Sequence, residues 1–92
     1  MYLIIDEECA KDSIYWEDIF TGAFNSLKEA KEELEHIFNR FVNDEDRIVG
    51  NNVERTETSI RFDVWNYGVD ITDTPPTVYH YVIYEAKEVQ NA

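Results

Sequence analysis

Between Ser26 and Val42 the hydrophobic positions recur every three or four residues. Leu27, Ala30, Leu34, Ile37, Phe38 and Phe41 line one side of a helical wheel, with Lys28, Lys31, Glu32, Glu35, His36 and Asn39 opposite. That spacing predicts an amphipathic helix that packs through one face only. Ser26-Leu27-Lys28-Glu29 has the S-x-x-E form of a capping box, so the helix is expected to start there. Lys28/Glu32 and Lys31/Glu35 are spaced for surface ion pairs, each worth roughly 0.2–0.5 kcal/mol.

Elsewhere the pattern is that of strands. Tyr2 to Ile5 is a short continuous apolar run, the signature of a strand buried on both faces. "DEECAKDS" is polar and reads as a turn or loop. "IYWEDIFTG" is rich in aromatic and β-branched residues and predicts a second strand ending at Gly22. Its alternation slips at Glu17-Asp18, where a bulge is expected, with a short helical turn over "WEDIF" as the competing prediction. After a turn at Asn51-Asn52, Ile60, Phe62 and Val64 alternate with Arg61, Asp63 and Trp65 in a half-buried strand. Gly68 opens a connection that Pro75-Pro76 closes. "TVYHYVIYEA" is the last strand, with Val78, His80, Val82 and Tyr84 on one side and Tyr79, Tyr81 and Ile83 on the other. The expectation is a single α+β domain over residues 1–92: a small antiparallel β-sheet with one amphipathic helix on one face, in ββαβββ-like order.

One helix covers one face, yet the first and last strands are apolar on both sides. A second face carrying some of Tyr2, Trp65, Tyr79, Tyr81 and Ile83, or their opposites, would be a contact surface for a partner or a second copy. The alternative is that a connection such as 69–74 folds over and covers it.

Charge narrows the partners. The chain has 20 acidic against 8 basic residues, a net charge of −12, which disfavours binding to DNA, RNA or an anionic membrane. Basic protein surfaces, cations and other copies of the chain remain, and solubility alone also accounts for such a charge. A hydrophobic fraction of 43% argues against disorder despite that charge. The one cysteine, Cys9, cannot form an internal disulfide and fits a reducing, cytoplasmic setting. "MYLIIDEE" lacks the basic and long apolar regions of a signal peptide.

Catalytic and metal chemistry find little support. Gly22, Gly50 and Gly68 are too dispersed for a phosphate loop, and Cys9, His36 and His80 are far apart in sequence. Asp44-Glu45-Asp46 and Asp70 with Asp73 lack the alternation of a calcium loop. The chain is read as non-enzymatic, with no cofactor and no metal.

The acids themselves are the remaining signal. They cluster at Asp6-Glu7-Glu8, Glu17-Asp18, Glu29/Glu32/Glu33 and Asp44-Glu45-Asp46. The last group follows a helix C-terminus, where the backbone dipole makes carboxylates unfavourable. Carboxylates one helical turn apart stand about 6 Å from each other, close to the spacing of phosphates in a nucleic-acid strand. A rigid acidic domain can therefore occupy a basic groove built for nucleic acid. On this reading Asp44, Glu45, Asp46, Glu29, Glu32 and Glu33 supply the field, and Trp16, Trp65, Tyr79 and Tyr81 supply oriented contact. In size, charge and aromatic content the chain resembles small phage or mobile-element proteins, including anti-restriction and anti-CRISPR inhibitors. That resemblance is one of composition. It implies a stoichiometric inhibitor of a nucleic-acid-binding protein and carries over no site. The alternative is a small structural or regulatory homodimer, joined through its aromatic sheet face, whose acidity serves solubility only.

Overall fold

The structure, a computed structural model, describes residues 1–13, 15 and 19–86. Six strands form one antiparallel sheet: β1 (Tyr2–Asp6), β2 (Phe20–Phe24), β3 (Arg47–Val49), β4 (Glu54–Arg55), β5 (Ser59–Asn66) and β6 (Thr77–Glu85). Among the described residues, the short helix α1 (Glu7–Asp12) and the long helix α2 (Leu27–Val42) accompany them. The strands lie in the order β2-β1-β6-β5-β3, and β4 pairs with the same edge of β5 as β3 does. The predicted α+β architecture is therefore observed, with one more strand than ββαβββ. The turn expected at Asn51-Asn52 is the break between β3 and β4. Gly50 sits in it, donating its N–H to the Asp63 carbonyl at 2.8 Å. A Cβ on Gly50 would stand 2.9 Å from the Trp65 ring, so a larger residue there would have to displace the indole.

Two local expectations are corrected. "DEECAKDS" contains the helix α1, because Asp6 caps it: one carboxylate oxygen accepts from the N–H groups of Glu8 (3.1 Å) and Cys9 (3.2 Å). Glu7 and Glu8 in the first turn and Lys11 in the last then suit the helix dipole. The second strand starts at Phe20 and runs past Gly22 to Phe24. The bulge or helical turn expected around Glu17-Asp18 lies outside the described residues. A register shift does occur nearby, between Ile4 and Ile5 of β1, opposite Gly22 and Phe20. Thr21 is the extra residue, and its hydroxyl donates to the Ile4 carbonyl at 2.7 Å.

The helix α2 begins as predicted. Ser26 Oγ accepts the Glu29 N–H at 3.2 Å, which satisfies one of the four N–H groups that a helix start leaves unpaired. Its apolar stripe meets the sheet: Ala30, Leu34 and Ile37 are buried, and Leu27, Phe38 and Phe41 pack beside them. From the sheet come Ile4, Ile60, Phe62, Val64, Tyr81 and Ile83. Phe62 is fully buried at the centre. Phe38 and Phe41 each meet it edge-on at 5.1 Å, and Tyr79 stacks on it at 5.8 Å. Two arginines close the rim, Arg47 over Phe41 at 4.9 Å and Arg55 over Phe38 at 4.7 Å. Arg55 also takes Glu35 as its ion-pair partner, so the expected Lys31/Glu35 pair is replaced by a bridge from helix to sheet. Among the described residues neither Lys28 nor Lys31 forms an ion pair.

This packing decides which aromatics face outward. Tyr2, Tyr79, Tyr81 and Ile83 lie under α2, which corrects the expectation that Tyr79 and Tyr81 form an exposed contact face. The opposite face carries Leu3, Ile5, Trp65, Val78, His80, Val82 and Tyr84, most of them half-buried. Tyr84 is 43% exposed. The indole N–H of Trp65 donates to the Thr74 carbonyl at 2.8 Å, so the β5–β6 connection does lean over this face. No helix among the described residues is long and apolar enough to cross a membrane.

Replacing Phe62 with Ala removes the ring on which Phe38, Phe41, Tyr79 and Tyr81 converge. We expect a loss of about 3–5 kcal/mol in urea denaturation, against about 1 kcal/mol for Ser26→Ala, which deletes only the cap. Equal losses would contradict this ranking of core over cap.

Candidate functional site: an acidic end of the sheet

Sheet register gathers acids that are distant in sequence. Asp6 lies opposite Tyr81, Val64 opposite Thr77, and Arg47 opposite Asn66. The end of β1, the start of β6, the end of β5 and the start of β3 are therefore at one end of the sheet. Three connections emerge there. The cap and body of α1 bring Asp6, Glu7, Glu8 and Asp12; the α2–β3 turn brings Asp44, Glu45 and Asp46; the β5–β6 connection brings Asp70 and Asp73. The cations nearby are Lys11, Arg40 and Arg47. At the opposite end Glu29, Glu54, Glu57 and Glu85 alternate with Lys28, Arg55 and Arg61. Among the described residues the excess of acids over cations is thus greatest at the end where the three connections emerge.

The α2–β3 turn explains part of its own acidity. Asp44 Oδ1 accepts the Asp46 N–H at 2.9 Å, and Oδ2 lies 3.4 Å from Arg47 Nε. The Asp44 carbonyl accepts the Arg47 N–H at 3.2 Å, and the Asp46 carbonyl accepts the Tyr67 N–H at 2.8 Å. Asp44 therefore shapes the turn, as aspartate commonly does by bonding its own backbone two residues on. Its clash with the helix dipole is offset by Arg47 and by Arg40 in the last turn of α2. Glu45 and Asp46 are different: both are exposed, and among the described residues neither side chain has an ion-pair or hydrogen-bond partner. These two are available to a partner.

The other predicted site residues divide. Glu29 and Glu32 are exposed but sit toward the far end of α2; Glu29 is 15 residues from Asp44, about 22 Å along a helix. His36, Asn39, Arg40 and Asn43 interrupt the track between them. Glu33 is half-buried and tied to Arg40 and to His36, the latter at 3.7 Å. Trp16 lies outside the described residues. Trp65 is half-buried and held by Thr74, Tyr79 is half-buried in the aromatic stack, and Tyr81 is 7% exposed. The acids of α1 and of the β5–β6 connection are visible in the sequence, but nothing in their spacing joins them to Asp44–Asp46. Only strand register joins them.

Asp70 is exposed, and its carboxylate accepts from the hydroxyl of Thr72 (2.6 Å) and from its N–H (3.0 Å), which holds the carboxyl below its ordinary value. Among the described residues no three His, Cys, Asp or Glu side chains are placed to hold a metal ion. The acidic end is therefore a diffuse field rather than a chelating centre.

Tyr81 carries the largest protonation effect. Burial, followed by the nearby Asp6 charge, pushes its phenol well above the ordinary value of 10.0, and Arg47 and Arg40 only partly oppose this. A raised folded-state value means that the fold holds the proton more tightly than the unfolded chain does. The resulting stability is complete below about pH 10 and is lost as pH rises beyond it. Tyr81→Phe should flatten the fall in stability between pH 9.5 and 11, measured by urea denaturation across that range. An unchanged slope would contradict the assignment.

No protein-family model, curated protein or solved structure matches this chain.

Proposed function

We propose that the protein is a non-enzymatic binding protein whose acidic end occupies the basic, nucleic-acid-binding surface of a partner protein. It would act as a stoichiometric inhibitor of the anti-restriction or anti-CRISPR type that its composition resembles. One observation carries the reading: α1, the α2–β3 turn and the β5–β6 connection converge at one end, where Glu45 and Asp46 are exposed and uncommitted. A field concentrated in this way steers a basic partner into one orientation and speeds its association, with an effect that salt weakens. Solubility alone would be served equally well by an even distribution. A homodimer anchored on Tyr79 and Tyr81 is not proposed, because both lie beneath α2.

The test is a pull-down from bacterial lysate with tagged protein at low and moderate salt, followed by competition with DNA. The expected result is a nucleic-acid-binding protein that DNA displaces. Glu45→Lys with Asp46→Lys should slow association with that partner about tenfold without loss of folding. Asp44 is left unchanged because it shapes the turn. Glu54→Lys with Glu57→Lys makes the same change in net charge at the opposite end and should have a much smaller effect. Equal effects of the two pairs, or a retained partner that DNA cannot displace, would contradict the proposal.

A further inference from the structure

An open cleft of about 430 Å³ lies between the C-terminal half of α2 and the sheet, beside the acidic end and distinct from its exposed carboxylates. Ile37 and Phe41 line it from the helix, Thr21 from the β2 irregularity and Tyr81 from β6. Arg40 and Arg47 reach it from the two sides of the α2–β3 turn. Two of the chain's eight basic residues thus share one cleft.

The unsatisfied groups in this cleft are donors. Tyr81 is 7% exposed, and its hydroxyl has no hydrogen-bond partner among the described residues. No fully buried side-chain oxygen or nitrogen among the described residues is left unpaired, so the hydroxyl is not sealed off, and Tyr81 lines the cleft. A phenol is protonated at neutral pH and can donate. Each guanidinium has five N–H donors. Arg40 gives one hydrogen bond to Glu33, and Arg47 approaches Asp44 through Nε. Those two carboxylates also line the cleft and neutralise one edge of each arginine; the remaining N–H groups are left for a ligand. Arg40 and Arg47 line the cleft together with Tyr81, and Asp6, opposite Tyr81 in the register, is the carboxylate at the phenol that they must outweigh for an anion to bind. An oxyanion is the group that accepts from a phenol and two guanidinium forks together. Phe41 and Ile37 add an apolar wall for a hydrocarbon part.

We propose that this cleft binds a small oxyanion, a phosphate or a carboxylate, through Arg40, Arg47 and the Tyr81 hydroxyl. The site goes beyond the inhibitor reading and does not depend on it.

The test is an amide NMR titration of the full chain at pH 7 with sodium phosphate and, separately, with sodium benzoate, at ionic strength held constant with sodium chloride. Saturable shifts at Thr21, Ile37, Arg40, Arg47 and Tyr81 are expected. Saturation by phosphate alone identifies a phosphate site; saturation by benzoate identifies a carboxylate seated on the Phe41 wall. Arg40→Gln with Arg47→Gln should weaken binding by about tenfold or more, and Tyr81→Phe, which keeps the ring, should weaken it less. If the double variant fails to fold by circular dichroism, Arg40→Gln and Tyr81→Phe decide singly. Shifts that neither salt saturates, or affinity unchanged in the folded variants, would overturn the proposal.

Discussion

The fold depends on the burial of Phe62. Its ring is the point at which Phe38 and Phe41 of the long helix meet Tyr79 of the neighbouring strand. Edge-on and stacked rings at these separations add directional preference to the area they bury, so the helix has one favoured position on the sheet. That position settles much else. It places Tyr79 and Tyr81 inside, leaves Tyr84 and Trp65 on the other face, and delivers the end of α2 beside the start of β3. Arg47 and Arg55 then fold over the rings at the rim, where their stems cover apolar surface and their charges answer Asp44 and Glu35.

Electrostatics follow from that geometry. A chain of net charge −12 repels itself on folding, and the repulsion is greatest where carboxylates are brought together. Among the described residues, the register of the sheet does so most strongly at the end that carries α1, the α2–β3 turn and the β5–β6 connection. Local chemistry compensates residue by residue: Asp6 caps α1, Asp44 closes a turn and pairs with Arg47, and Asp70 binds Thr72. Glu45 and Asp46 receive no such compensation. The acids after α2 are thus of two kinds, one that builds the turn and two that face solvent.

Much of the fold was legible in the sequence, because helix and strand periodicities differ and each is written in few residues. The stripe from Leu27 to Phe41 and the alternation of Ile60, Phe62 and Val64 both appear as expected. The helix α1 was missed because its signal is a single side chain, Asp6, which could equally have belonged to a turn. The site was less legible. Acids of α1, of the α2–β3 turn and of the β5–β6 connection are neighbours only through strand order β1-β6-β5-β3, which periodicity does not encode. Which face of β6 the helix would cover was also open, since both sides of that strand are apolar. Tyr79 and Tyr81 were candidates for the wrong surface for that reason.

A map of the surface field itself tests the acidic end most directly. Amide relaxation enhancement by a cationic nitroxide, divided by that from a neutral nitroxide of similar size, reports the local potential at each residue. A field concentrated at the acidic end gives the highest ratios in α1, at Glu45 and Asp46, and around Asp70 and Asp73, with low ratios from Glu54 to Ser59. Ratios that are even over the surface, or highest near Glu54 and Glu57, would contradict it.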